Sequence, residues 1–224
     1  MKNLILLHGA LGSAETLQTI KNLLSDEYTV FDLDFPGHGR NEGSEIGMEA
    51  FTDSLRALIE NNRLAEYSIF GYSMGGFAAL KFAAEKPAGL KKIITLGTKF
   101  DWTPESAAGE VKKLNPELIE EKVPKFAAHL ASLHNDWKEL MNKTASMMLQ
   151  LGEERGLSRE LLSAVNVPVH LYRGSEDNMV SSEETRIVAD LLPDSSFEII
   201  EGVQHPIDRV DPVVIADLIR KNMK

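Results

Sequence analysis

Residues 67–76 read YSIFGYSMGG, with FAALKFAAE continuing to Glu85. Tyr67 to Phe70 has the β-branched and aromatic character of a short strand, and Phe77 to Glu85 reads as an Ala-rich helix. Between them stands Gly71-Tyr72-Ser73-Met74-Gly75, a G-x-S-x-G motif. A strand that turns this abruptly into a helix forces its central residue into a strained conformation. Side chains two positions to either side would then collide, and Gly71 and Gly75 remove them. Gly76, Ala78 and Ala79 let the helix lie close to neighbouring strands.

Outward from this turn the chain alternates. Strands are expected at Asn3–Leu7, Tyr28–Leu33, Tyr67–Phe70 and Lys92–Leu96. Helices are expected from about Ala14 to Ser25, Met48 to Asn61 and Phe77 to Glu85. The first run is continuously apolar, as suits a strand buried on both faces of a parallel sheet. Alternation of this kind predicts an α/β fold with right-handed crossovers. It lapses after Thr98. From about Lys99 to Val165 only helical patterns appear, clearest over Glu117–Leu133 and Asp136–Leu151. A strand at Val167–Tyr172, a helix at Glu183–Leu192, a strand at Phe197–Ile200 and a helix at Pro212–Asn222 then resume the pattern. The expected organisation is a core of residues 1–98 and 166–224 interrupted by an all-helical insertion, 99–165.

With 224 residues and 43% hydrophobic and 26% charged composition, the chain is an ordinary globular one. Surface scaling for its mass gives a folded surface of about 10,000 Å², which leaves ample area for a core. The net charge of −10 and the lack of a basic stripe argue against nucleic acid as a partner. The absence of cysteine excludes disulfides, thiolate catalysis and cysteine metal sites. The longest apolar run, Leu4–Leu7, is far too short to span a bilayer, and the N-terminus lacks the features of a secretory signal. A cytoplasmic protein with no membrane partner is expected; the sequence leaves the oligomeric state open.

Ser73 is the candidate nucleophile. A serine hydroxyl needs a base, and the base needs a partner that holds its tautomer. After a G-x-S-x-G turn, acid and histidine follow in that chain order. Asp177, in GSEDNMV just past one expected strand, and His205, in GVQHP just past the last, occupy the strand ends where open α/β sheets place their sites. Asp101, after the preceding strand, is the main rival acid; Asp34, Asp194 and Asp208 are weaker ones. An oxyanion needs preorganised donors. The backbone amides of Ala10, in LHGALG at the end of the first strand, and of Met74, which opens a helix, are assigned to it. His8 and His38 read as structural or pocket-lining, and His170 as a strand residue. His129 and His134 lie five apart, which does not put them on one helix face as metal ligands. In the insertion, Trp102, Phe126, Trp137, Met141, Met147 and Met148 either pack on the core or reach a substrate. Leu11, Trp102, Trp137 and Met141 are the substrate-contact candidates. No metal or cofactor is expected.

The pieces LHGALGS, DFPGHG, GYSMGG, GSEDNMV and QHP, in this order, resemble the α/β-hydrolase superfamily, and they span the chain except for the insertion. The resemblance implies Ser73, Asp177 and His205 as nucleophile, acid and base, Ala10 and Met74 as oxyanion donors, and the insertion as a cap. The family fold usually has eight strands; this chain begins at what resembles the third, so about six parallel strands are expected. Two departures stand out. Arg40 and Asn41 follow the GHG turn where relatives often carry Ser, and the elbow carries no Asp, unlike epoxide hydrolases and haloalkane dehalogenases. The activity implied is hydrolysis of a small or medium carboxylic ester. Alternatives are a thioesterase, a C–C bond hydrolase, a lyase like the menaquinone-pathway synthase, and a non-catalytic ligand receptor on the same scaffold.

Overall fold

A computed structural model describes all of residues 1–224. Six strands, β1 (Lys2–Leu7), β2 (Tyr28–Asp32), β3 (Tyr67–Tyr72), β4 (Leu90–Leu96), β5 (Val169–Gly174) and β6 (Ser195–Ile200), form one sheet in the order β2-β1-β3-β4-β5-β6. Every neighbouring pair is parallel. A parallel sheet needs a crossover for each pairing, and helices supply them. Between the strands run α1 (Gln18–Leu24), α2 (Met48–Asn61) and α3 (Met74–Ala84). Then come α4 (Pro104–Val111), α5 (Pro116–Lys122), α6 (Pro124–Leu133), α7 (Trp137–Glu154), α8 (Arg159–Ala164) and α9 (Ser182–Leu191), with α10 (Pro212–Met223) closing the chain.

Strand alternation sorts the core into two layers. Ile5, Leu7 and Ile69 face one way and pack with Phe51 and Leu55 of α2, Phe77 and Leu80 of α3, Leu162 of α8 and Val188 of α9. Leu4, Leu6, Phe70 and Tyr72 face the other way and meet Ile20 and Leu24 of α1 and Ile215 and Ile219 of α10. Leu4 to Leu7 have no exposed surface at all, so their unbroken apolar sequence reflects burial on both faces. Each such side chain contributes roughly 1.5–3 kcal/mol on burial. The total surface, 10569 Å², matches the scaling expectation. No helix is long and apolar enough to cross a membrane.

Five helices and no strand separate β4 from β5. Their apolar faces are split: Trp102, Ala107, Met147, Met148 and Leu151 join the core layer above α3, whereas Ala127, Leu130, Trp137 and Met141 form a small core of their own. The single helix expected over Glu117–Leu133 is two. Pro124 opens α6, and the chain breaks at Val123 (φ −134°, ψ 56°) because a residue before proline is driven out of the helical region. Two short helices the apolar pattern does not mark are announced by their caps instead. Thr103 accepts from the Ser106 amide ahead of α4, and Ser158 accepts from Leu161 ahead of α8.

Candidate functional site

Ser73 sits in the turn from β3 to α3 with φ 50° and ψ −116°, a conformation that costs a non-glycine residue about 1–3 kcal/mol. Its N–H donates to the Leu96 carbonyl at 2.9 Å, which ties the turn to the end of β4. The flanking glycines are required by close approach. A Cβ on Gly71 would lie 2.5 Å from the Gly76 backbone, and one on Gly75 would lie 2.5 Å from the Leu7 carbonyl oxygen.

Asp177 lies in the turn after β5 and His205 in the loop after β6. The Asp177 carboxylate uses both oxygens. Oδ1 accepts from the amides of Met179 and Val180, each at 2.9 Å. Oδ2 lies 2.8 Å from His205 Nδ1. These partners assign the imidazole proton to Nδ1, which donates to the carboxylate and leaves Nε2 with a lone pair. Nε2 stands 3.3 Å from Ser73 Oγ, where the hydroxyl can donate to it. Burial by itself would raise the Asp177 carboxyl. The hydrogen bond and attraction of His205, with the two amides, more than offset this and hold it below the ordinary carboxylate range. Thus the structure brings Ser73, His205 and Asp177 into one hydrogen-bonded line. Asp101 is held elsewhere: its amide donates to Glu184 Oε2 at 2.7 Å. Asp34 pins loops together, accepting from the amides of Ala14 and Arg40.

A narrow pocket, about 380 Å³ with its open mouth included, lies at Ser73. Its wall comprises Ala10 and Met74, Met48 and Phe77 beneath, Lys99, and Trp102, Met147, Met148, Leu151 and Met179 from the helical segment and the turn after β5. Five methionines give this wall the means to change shape around an occupant. Met74 opens α3, so its N–H has no partner within the helix, and Ala10 makes no backbone hydrogen bond in its loop. Both amides are free beside the serine. Of the four proposed substrate contacts, only Trp102 lines this cavity. Trp137 and Met141 face the small core inside the helical segment, and Leu11 packs against that cluster. Periodicity marks the apolar face of α7 but cannot say which part of that face meets the cavity.

Sequence reasoning missed His134. It ends α6 rather than continuing it and is buried. Its Nδ1 accepts from the Gly39 amide at 2.8 Å and its Nε2–H donates to the Leu11 carbonyl at 2.9 Å. One ring therefore joins the helical segment to the loops after β1 and β2, next to Ala10. His8 and His38 are wholly buried below it. His8 accepts from the Phe35 amide at 3.1 Å and its pKa is lowered by burial to about 4. Burial likewise pushes His38 and His134 below the ordinary imidazole value. All three are neutral structural groups, and no cluster of three or more acidic or histidine side chains is placed to hold a metal.

A family model described as "Serine aminopeptidase, S33" matches residues 1–209. The chain belongs to this family of α/β-hydrolases. It is similar to the pimeloyl-[acyl-carrier protein] methyl ester esterase of Cronobacter sakazakii, at 26% identity over 91% of this chain and 85% of the relative. It is also similar to the 2-(acetamidomethylene)succinate hydrolase of Mesorhizobium japonicum, at 22% identity over 94% and 84%. Among solved structures, an esterase of Thermogutta terrifontis superposes with a TM-score of 0.77 over 100% of this chain and 89% of that one, at 22% identity. Membership makes the protein a hydrolase of the α/β type; the six-stranded parallel sheet and its flanking helices are the family's fold.

Proposed function

We propose that the protein is a serine hydrolase that cleaves a small or medium carboxylic ester through an acyl-enzyme. The observation that carries the reading is the line from Ser73 Oγ to His205 Nε2 at 3.3 Å and from His205 Nδ1 to Asp177 Oδ2 at 2.8 Å. Ser73 attacks the ester carbonyl as His205 Nε2 takes its proton. Asp177 remains ionised, fixes the imidazole tautomer and stabilises the imidazolium. The free amides of Ala10 and Met74, the latter at a helix N-terminus, receive the negative charge that develops on the carbonyl oxygen. The imidazolium then protonates the leaving alkoxide. In the second half, His205 removes a proton from water, which attacks the acyl group, and Ser73 is regenerated. No step calls for a metal or cofactor.

Residues 99–165 act in this reading as a cap over the core of residues 1–98 and 166–224, with Trp102, Met147, Met148 and Leu151 closing the pocket above the serine. Water exclusion there strengthens the electrostatic interactions on which the oxyanion depends. A small-molecule ester is the partner, and the lack of cysteine fits a cytoplasmic location. A lyase acting on a substrate with several carboxylates would gather arginines, and none lines this cavity. Ser73→Ala is expected to abolish nearly all hydrolysis of p-nitrophenyl butyrate while the circular dichroism spectrum and melting transition are retained. A folded variant that keeps its turnover would overturn the nucleophile assignment.

A further inference from the structure

Nine of the eleven residues around the cavity are apolar; the other two are Ser73 and Lys99. Lys99 is therefore the one charge on the wall of an otherwise greasy pocket. It gets there because Gly97, just past β4, runs against the His205–Asp177 pair: a Cβ on Gly97 would lie 3.2 Å from Asp177 Oδ2 and 3.4 Å from His205 Nδ1. Two residues on, the lysine side chain is only 10% exposed.

Within the protein the ammonium has a carboxylate nearby but no hydrogen-bond acceptor. The nearest carboxylate, Glu184 Oε2, is 3.9 Å away, too far for a hydrogen bond. That carboxylate already accepts from three backbone amides, those of Phe100 and Asp101 on Oε2 and that of Ser181 on Oε1. The Trp102 ring, 5.7 Å from Nζ, contributes a cation–π attraction but accepts no conventional hydrogen bond. An ammonium has three donors, and here all three remain available to a further acceptor. A lysine kept only to neutralise Glu184 would sit within hydrogen-bond reach of it.

We infer that Lys99 selects an ester that carries a carboxylate of its own, which pairs with the ammonium while the scissile carbonyl lies at Ser73. The inference rests on the serine-esterase reading and narrows its substrate class to half-esters and other acidic esters. The apolar remainder of the wall holds the chain between the two polar ends.

Matched pairs of substrates test it: 4-nitrophenyl hydrogen adipate against 4-nitrophenyl hexanoate for an acid on the acyl side, and 4-carboxyphenyl against phenyl hexanoate for one on the alcohol side. The wild type should favour the acidic member of at least one pair in kcat/KM. That preference should fall by about ten- to a hundredfold in Lys99→Met, the range for a hydrogen-bonded charge pair, and recover in part in Lys99→Arg. A ratio that is the same in all three proteins for both pairs overturns the inference. Calorimetry provides a readout independent of turnover. Adipate and hexanoate each offer one carboxylate to the amides at Ser73, but only adipate has a second. Adipate should bind wild type at least tenfold more tightly than hexanoate, and Lys99→Met should erase the difference; equal binding in wild type contradicts the inference. Preferential adipate binding without any ester turnover would instead leave the inference standing and defeat the esterase reading. Turnover of neutral esters with flat ratios would do the reverse.

Discussion

Replacing Asp177 by Asn isolates the part of the proposed mechanism that the hydrogen-bond geometry defines most sharply. Oδ1 accepts from two backbone amides at 2.9 Å, so the Asn side chain must present its carbonyl oxygen there. Its NH2 group then takes the Oδ2 position, 2.8 Å from His205 Nδ1, and donates where the carboxylate accepted. The imidazole can meet a donor only with a bare Nδ1, which moves its proton to Nε2, the atom facing Ser73. The base is lost although every heavy atom stays in place. Turning the amide over restores the tautomer but sets its NH2 against the half-buried Met179 and buried Val180 amides, at about 1–3 kcal/mol for each one left unsatisfied. Together these come to about 2–6 kcal/mol, which alone lowers kcat by about thirty- to twenty-five-thousandfold. Adding the lost stabilisation of the imidazolium, the expected fall is about 10⁴-fold, equivalent to about 5.4 kcal/mol of barrier. Steady-state hydrolysis of p-nitrophenyl butyrate, with folding checked by circular dichroism, measures it. KM should change little. A folded Asp177→Asn enzyme that loses less than tenfold in kcat would refute the tautomer argument.

Three further outcomes follow from the same structure. Gly75→Ala should destabilise by at least about 1–3 kcal/mol in urea titration, because its Cβ would meet the Leu7 carbonyl at 2.5 Å; an unchanged midpoint would show that the elbow is looser than described. His8 is neutral when folded, with its pKa lowered by burial from 6.5 to about 4. The unfolded chain therefore binds the proton first as pH falls, and stability complete above 6.5 is lost down to about 4, by about 3 kcal/mol. Urea midpoints at pH 7.5 and 4.5 should show this drop, and it should shrink in His8→Asn; an equal drop in the variant would assign acid sensitivity to other groups. Ser73→Ala, as stated above, should abolish ester turnover in a folded protein.

Much of this architecture is readable from residues alone because it rests on local regularities. Burial on both faces writes itself into β1 as Leu4–Leu7, and the elbow writes itself as two glycines around Ser73. What escaped depends on contacts between distant residues. His134 meets Gly39 and Leu11, which are 95 and 123 residues away, and nothing in the local sequence marks a pairing at that range. Lys99 reads as an ordinary lysine after a strand until folding sets it beside Trp102 and the cavity. Trp137 and Met141 belong to the same apolar face of α7 as Met147 and Met148, yet the first two fill the interior of the helical segment and the other two line the pocket. Periodicity gives the apolar side of a helix, not what that side meets. The division at Pro124 was also missed, although its cause is local: proline cannot continue the helix before it.

The central claim is that Ser73 is made nucleophilic by His205. Treatment of the protein with a fluorophosphonate, followed by intact-mass analysis and peptide mapping, tests it most directly. One covalent adduct per chain is expected, located on Ser73, absent in Ser73→Ala and slowed by orders of magnitude in His205→Ala. A folded wild-type protein that takes no label, or takes it on another residue, would contradict it.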